Sequence, residues 1–216
     1  MTVIEAPAPP RALRARHVRL DDDTGIIVYE AKDPGRAVDE AIARRGPAPY
    51  GAVLWDSAID VARLLISFDL GERRVLDVGC GCGLTTIAAA LRGARVHATD
   101  IDSCVFLAVS RAALEQGVQA LVTTSCFDVC SAEPLPEADD VVFADLLYEP
   151  LLAAAVARRT LEALRRGSRV IVGDPDRAGR QDFLKLVHEA LRADAGDGVD
   201  VGAAAFVGNV FVLGPR

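Results

Sequence analysis

The chain has 216 residues, of which 51% are apolar and 25% charged, a composition that excludes a disordered chain and suits one α/β domain with a short N-terminal addition. A net charge of −7 without a Lys/Arg run argues against a general nucleic-acid binder. Apolar runs are broken by charge too often to span a bilayer, and no basic-then-apolar leader precedes a cleavage site, so a cytoplasmic location away from membranes is expected.

In chain order, residues 1–14 hold Pro7, Pro9 and Pro10 and predict a flexible tail. Residues 15–50 predict a small extension: β-prone runs at His17–Leu20 and Ile26–Tyr29 around an Asp-rich turn, then a short helix over Ala37–Arg45. Residues 51–216 predict the main domain. Val61, Leu64, Leu65 and Phe68 mark one apolar helical face after Trp55. Strands are predicted at Val75–Val78, Arg95–Thr99, Ala120–Thr123, Val141–Ala144 and Arg169–Val172. Helices are predicted at Thr85–Leu91, at Ser103–Gln116 with Ser103 as N-cap, at Leu151–Arg166 and at Gln181–Ala193. The alternation predicts a Rossmann-like sheet, mostly parallel, with helices on both faces. Val199–Val207 and Val210–Leu213, joined at Gly208-Asn209, predict a closing antiparallel hairpin, which makes seven strands.

Asp77-Val78-Gly79-Cys80-Gly81-Cys82-Gly83 joins the first sheet strand to its helix and predicts a cofactor loop. A dinucleotide fingerprint would need glycine where Leu84 stands. The Asp77 carboxylate would also repel a pyrophosphate and attract the sulfonium and ammonium of S-adenosylmethionine. Asp100, 23 residues after Asp77 at the tip of the second strand, is placed to meet ribose hydroxyls, with Asp102 as either a second candidate or a helix cap. Phe127 and Asp128 follow the third strand, where the aromatic could cover adenine and the carboxylate accept from its amino group; Phe127 reads almost equally well as core. The five cysteines are expected to be reduced, and no structural metal is expected.

Asp145-Leu146-Leu147-Tyr148 follows the fourth strand, next to the first in a doubly wound order. Asp145 and Tyr148 are therefore placed to hold an acceptor amine, or else to cap a helix and pack. No Ser-His-Asp pattern accompanies them, and methyl transfer needs none.

These segments carry a resemblance. With Leu54-Trp55, the Asp77–Gly83 loop, Asp145-Leu146-Leu147-Tyr148 and Gly173-Asp174-Pro175-Asp176-Arg177, the chain resembles the seven-strand S-adenosylmethionine-dependent methyltransferases of methyltransferase family 16, and within them the electron transfer flavoprotein β-subunit lysine methyltransferases. The resemblance implies that the Asp77–Gly83 loop and Asp100 hold the cofactor, that Asp145 and Tyr148 line a lysine channel, and that Trp55 contacts cofactor or substrate. It also implies a protein partner presenting a lysine, a flavoprotein subunit first among them. The chain departs from these relatives at Trp55-Asp56-Ser57, where proline commonly follows the tryptophan. Two other readings stand beside this one: a small-molecule amine methyltransferase, and a protein that binds the cofactor without turnover.

Overall fold

The computed structural model describes residues 12–194, 202–207 and 209–214. Most of the expected tail, residues 199–201 of the penultimate strand and Gly208 of the expected turn lie outside the described residues.

The chain opens with an antiparallel hairpin, β1 (Leu13–Arg19) and β2 (Gly25–Ala31). Both strands run beyond their β-prone centres because they pair through every residue from Leu13↔Ala31 to Arg19↔Gly25. The turn is held by Asp21, whose Oδ1 accepts from the backbone N–H groups of Asp23 and Thr24. Helix α1 (Pro34–Ala43) starts three residues before the expected position, since Asp33 caps it and Pro34 suits its first turn. Helix α2 (Asp56–Ile66) then leads into the sheet.

The sheet is built by β3 (Arg74–Val78), β4 (Arg95–Asp100), β5 (Val122–Cys126), β6 (Asp140–Ala144), β7 (Arg169–Gly173), β8 (Gly202–Val207) and β9 (Val210–Gly214). Its helices are α3 (Leu84–Leu91), α4 (Phe106–Glu115), α5 (Pro150–Arg165) and α6 (Arg180–Asp194). The strand order is β5-β4-β3-β6-β7-β9-β8. The first five are mutually parallel, while β9 lies antiparallel to both β7 and β8. The expected seven-strand arrangement with a closing hairpin is therefore present. The chain winds outward from β3 to β5 and restarts at β6, so the switch point lies between β3 and β6.

Around the sheet, two further starts differ from expectation by more than one residue among the described residues. Asp102, not Ser103, caps the entry to α4: its side chain accepts from the Cys104 N–H, and a short 3₁₀ turn over Ser103–Val105 comes first. Strand β5 begins at Val122, after the 3₁₀ turn Gln119–Leu121, because Val122 is where pairing with Val96 of β4 starts.

Strand alternation sorts the core into two layers even though both sheet faces are buried. Val75, Val96, Val142, Ile171 and Val210 face α2, α3 and α4, where Val61, Leu65, Ile87 and Ala112 meet them. Leu76, Val78, Val141, Phe143, Val170, Val172 and Phe211 face α5 and α6, against Val156, Ala157, Phe183 and Val187. The N-terminal hairpin joins the first layer through Val18, Leu20, Ile26, Val28 and Tyr29. Each such fully buried side chain contributes about 1.5–3 kcal/mol. Among the described residues, no helix is long and apolar enough to cross a membrane.

Candidate active site

The glycine loop leaves β3 at the switch point and is pinned at once to β4, because the N–H groups of Gly79 and Cys80 both donate to the Thr99 carbonyl, at 2.8 and 2.9 Å. Gly79 has φ +69°, and a Cβ there would lie 2.8 Å from Cδ2 of Leu146 in the loop after β6. Gly81 has φ +52° and packs on the Gly51 backbone, a Cβ on Gly81 falling 3.3 Å from the Gly51 Cα. Side chains at these two positions would push apart the loops that form the cavity.

That cavity lies at the carboxyl ends of the parallel strands. Gly79, Cys80 and Gly81 form its floor, with Asp100 and Ile101 after β4 and Phe127, Asp128 and Cys130 after β5. Asp145, Leu146 and Tyr148 after β6 close one side, and Gly51, Leu54, Trp55 and Ala58 close another. Among the described residues, the lining contains three carboxylates, Asp100, Asp128 and Asp145, and no Lys, Arg or His. A cavity of this charge suits a cationic ligand and disfavours phosphate.

Asp100 is buried and accepts from the Gly81 N–H at 3.0 Å on Oδ2 and from the Asp102 N–H at 2.9 Å on Oδ1. Burial raises its pKa despite these bonds. The bond to Gly81 ties the second strand's acidic tip to the glycine loop, with lone pairs left for a hydroxyl-bearing ligand. Phe127 is buried at the cavity edge and donates its N–H to the Asp100 carbonyl at 3.1 Å, with Arg159 behind its ring. Asp128 is exposed, and its Oδ1 accepts from the Cys130 N–H.

Two expected cofactor residues do not reach the cavity wall. Asp77 shares the sheet face of Val75, so its side chain turns beneath α3 and away from the opening. Its Oδ2 accepts from the hydroxyls of Thr85 and Thr86 at 2.6 and 2.5 Å, and its Oδ1 is buried with no hydrogen-bond partner among the described residues. Burial pushes the Asp77 carboxyl up to about 6, with Asp100 adding to the shift and the threonines opposing it. Asp77 thus lies behind the loop and not among the described lining residues. Gly83, with φ +83°, begins α3, and a Cβ there would meet Val109 of α4 at 3.0 Å. It serves the turn and the helix packing.

On the other side of the switch point, Asp145 is buried and has φ +62°, a left-handed conformation that costs energy for a side chain other than Asn, Asp or Gly. The sequence places it either to hold an acceptor amine or to cap a helix. Its Oδ2 accepts from Ser57 Oγ at 2.9 Å and its Oδ1 from Arg177 Nε at 2.7 Å. A buried carboxylate needs such partners, and two remaining lone-pair sites can still accept. Tyr148 stands half-buried, edge-on to Tyr50 with ring centroids 5.3 Å apart. Burial, with help from Glu149, pushes its phenol up to about 12.

Gly51, Ser57 and Arg177 escape a sequence reading. None belongs to a spacing pattern, and only Arg177 falls inside a segment carrying the resemblance. Trp55 forms part of the wall, donates its Nε1–H to the Tyr50 carbonyl at 2.8 Å and lies 5.1 Å beneath the Arg177 guanidinium. Glu30 of β2, buried and paired with Arg14, accepts from the Leu54 N–H and so fastens the N-terminal hairpin to this wall.

Comparison with known proteins identifies the family. Residues 62–173 match the family model described as "Ribosomal protein L11 methyltransferase (PrmA)". The chain belongs to this methyltransferase family. The matched stretch runs from α2 to the end of β7, and so includes the glycine loop, Asp100 and Asp145. The cofactor of this family is S-adenosylmethionine. The expected resemblance is also found: the chain is 30% identical over 152 residues to the electron transfer flavoprotein beta subunit lysine methyltransferase of Danio rerio, covering 63% of this chain and 54% of that protein. It is 37% identical over 109 residues to the ribosomal protein L11 methyltransferase of Psychrobacter arcticus, covering 48% and 34% of the two chains. It thus spans about half the length of the first relative and a third of the second. A TehB-like SAM-dependent methyltransferase from Corynebacterium glutamicum superposes with a TM-score of 0.53 at 18% identity, covering 84% of this chain and 97% of that one, and shares the fold.

Proposed function

We propose that the protein is an S-adenosylmethionine-dependent N-methyltransferase acting on a lysine side chain of a protein, with the electron transfer flavoprotein β subunit as the first target to test. The observation that carries the cofactor half is the charge of the cavity: among the described lining residues are Asp100, Asp128 and the Arg177-paired Asp145, and no basic side chain. When bound, S-adenosylmethionine supplies an electrophilic methyl group on a sulfonium. Around it, Gly79 and Gly81 let the backbone come close, Asp100 accepts from ribose hydroxyls, and Phe127 and Asp128 meet the adenine. Asp77 adds negative charge from behind the loop. Trp55 closes the wall between cofactor and acceptor.

The acceptor half rests on Asp145 and Tyr148, on the other side of the switch point, and on the Danio rerio relative, whose name states a lysine acceptor on a protein. A second, apolar groove lined by Val38, Ile42 and Tyr50 shares Val53 and Trp55 with the cavity. Such a groove suits a polypeptide flanking the target lysine better than an isolated amine. Alignment of the acceptor nitrogen with the methyl group can supply about 7–11 kcal/mol of the barrier reduction, so no nucleophile is required of the protein. The same proposal treats residues 15–50 as an extension of a methyltransferase domain over residues 51–216. It includes a cytoplasmic location and no dependence on nucleic acid, membrane or structural metal.

The test is incubation with methyl-labelled cofactor and a lysate, followed by purified flavoprotein β subunit. Label on lysine in acid-precipitable protein is the expected result. Label only in small molecules would overturn the protein acceptor, and label on another protein would overturn the target alone.

A further inference from the structure

Arg177 lies in the loop after β7, farther along the acceptor side of the sheet than Asp145, and is not among the residues lining the cavity. It touches two that are. Its Nε donates to Asp145 Oδ1 at 2.7 Å, and its guanidinium carbon lies 5.1 Å from the centre of the Trp55 ring. Ser57 takes the other Asp145 oxygen at 2.9 Å. The loop is built to hold this arrangement: the fully buried Asp174 accepts on Oδ2 from the N–H groups of Asp176 and Arg177, at 2.9 and 3.1 Å. Both segments carrying the ion pair include a left-handed non-glycine residue, Asp145 at φ +62° and Asp176 at φ +73°. Such conformations persist only where surrounding structure enforces them.

A buried carboxylate left alone would attract an ammonium and favour its protonated form. A protonated amine has no lone pair to accept a methyl group. We propose that Arg177 is a positioning residue for the acceptor: it fixes Asp145 and compensates its charge, so that an amine at this end of the cavity is retained in its neutral, nucleophilic form. The proposal rests on amine methylation as the activity.

The charged groups around Arg177 are Asp145, Asp174 and Asp56, while Arg180 lies 3.8 Å from Asp174. Asp100, Asp128 and the Tyr148 phenol face the cavity from the remaining loops. None of these others touches both Asp145 and Trp55 among the hydrogen bonds and ring contacts of the described residues.

The experiment compares wild type with Arg177→Gln and Arg177→Lys in two measurements. The first is calorimetric binding of n-butylammonium to the protein alone at pH 7. Freed of its partner, Asp145 in Arg177→Gln should bind this cation about tenfold more tightly, and Arg177→Lys should stay near wild type. The second is the pH dependence of kcat for lysine methylation. Its ascending limb should move up by about one pH unit in Arg177→Gln and return in Arg177→Lys. Unchanged or weaker butylammonium binding in Arg177→Gln, or a uniform loss of kcat without movement of the limb, would overturn the proposal. Should Arg177→Gln fail to fold, Arg177→Met removes the charge while keeping an apolar stem against Trp55. Absence of methyl transfer by the wild type would count against the proposed activity, whereas the butylammonium comparison involves no turnover and decides the role of Arg177 by itself.

Discussion

Thr86 and Asp77 are joined across the start of α3 by a hydrogen bond of 2.5 Å from Oγ1 to Oδ2, while Oδ1 of the same carboxylate lies buried with no hydrogen-bond partner among the described residues. Burial pushes this carboxyl from its ordinary 3.8 up to about 6. Between those two values the folded protein binds more protons than the unfolded chain, so stability falls as pH rises from about 4 to about 6. The loss is at most about 3 kcal/mol, and Asp77→Asn should remove it. Chemical denaturation of wild type and variant at pH 4.5 and 6.5 checks this; parallel slopes in the two proteins would refute it.

The same carboxylate should couple cofactor affinity to pH. Ionised Asp77 favours a nearby cation, so the affinity for S-adenosylmethionine rises as pH increases through about 6. The expected gain is up to about tenfold at a moderate coupling of one pH unit. Titration calorimetry at pH 5 and 7 measures it, and in Asp77→Asn the gain should shrink.

The charge of the cavity predicts ligand choice. S-adenosylhomocysteine, which keeps an ammonium and has no phosphate, at about 100 times its Kd should raise Tm by about 5–10 °C. NAD should give no shift, because its pyrophosphate would meet Asp100 and Asp128 with no basic side chain among the described lining residues. A shift with NAD and none with S-adenosylhomocysteine would reverse the assignment.

Asp145→Asn should lower methyl transfer about 100-fold while leaving S-adenosylhomocysteine binding within about twofold. Asparagine tolerates the left-handed conformation at φ +62°, so the loop should survive. Equal loss of both functions would place Asp145 in the cofactor half of the site.

Tyr148 should not titrate in the working range. Its phenol is pushed up to about 12, so it remains a hydrogen-bond donor at every ordinary pH. The kcat profile should show no descending limb from this group below about pH 11, and Tyr148→Phe should lose less than about tenfold. The edge-on contact with Tyr50 needs the ring alone.

Gly79→Ala should be destabilising by about 2 kcal/mol or more, since it combines φ +69° with an approach of 2.8 Å to Leu146. A fall in Tm of about 4–8 °C, read by scanning calorimetry, is expected.

Much of this protein was legible in local pattern. The glycines at 79 and 81 and Asp145 follow strands whose apolar runs are visible in the chain, Asp100 ends a strand of alternating pattern and Phe127 follows a weaker one, and each lines the cavity. Alternation of strand and helix determined the layer architecture, because neighbouring elements fix which backbone faces can be buried. The misplaced cap at Ser103 is a different kind of error. Two adjacent residues both had capping side chains, and the backbone bend after β4 selected Asp102.

What the tertiary structure alone decided is where charge and contact fall. Asp77 sits two residues before the first glycine of its motif, yet strand alternation turns its carboxylate toward Thr85 and Thr86 and away from the cavity. Asp145 takes its two partners from 88 residues before and 32 residues after it in sequence, Ser57 and Arg177. Periodicity and spacing reach only across a few residues along one element. Pairings that distant are set by which loops the sheet order brings side by side, and through them by how a buried charge finds its compensation.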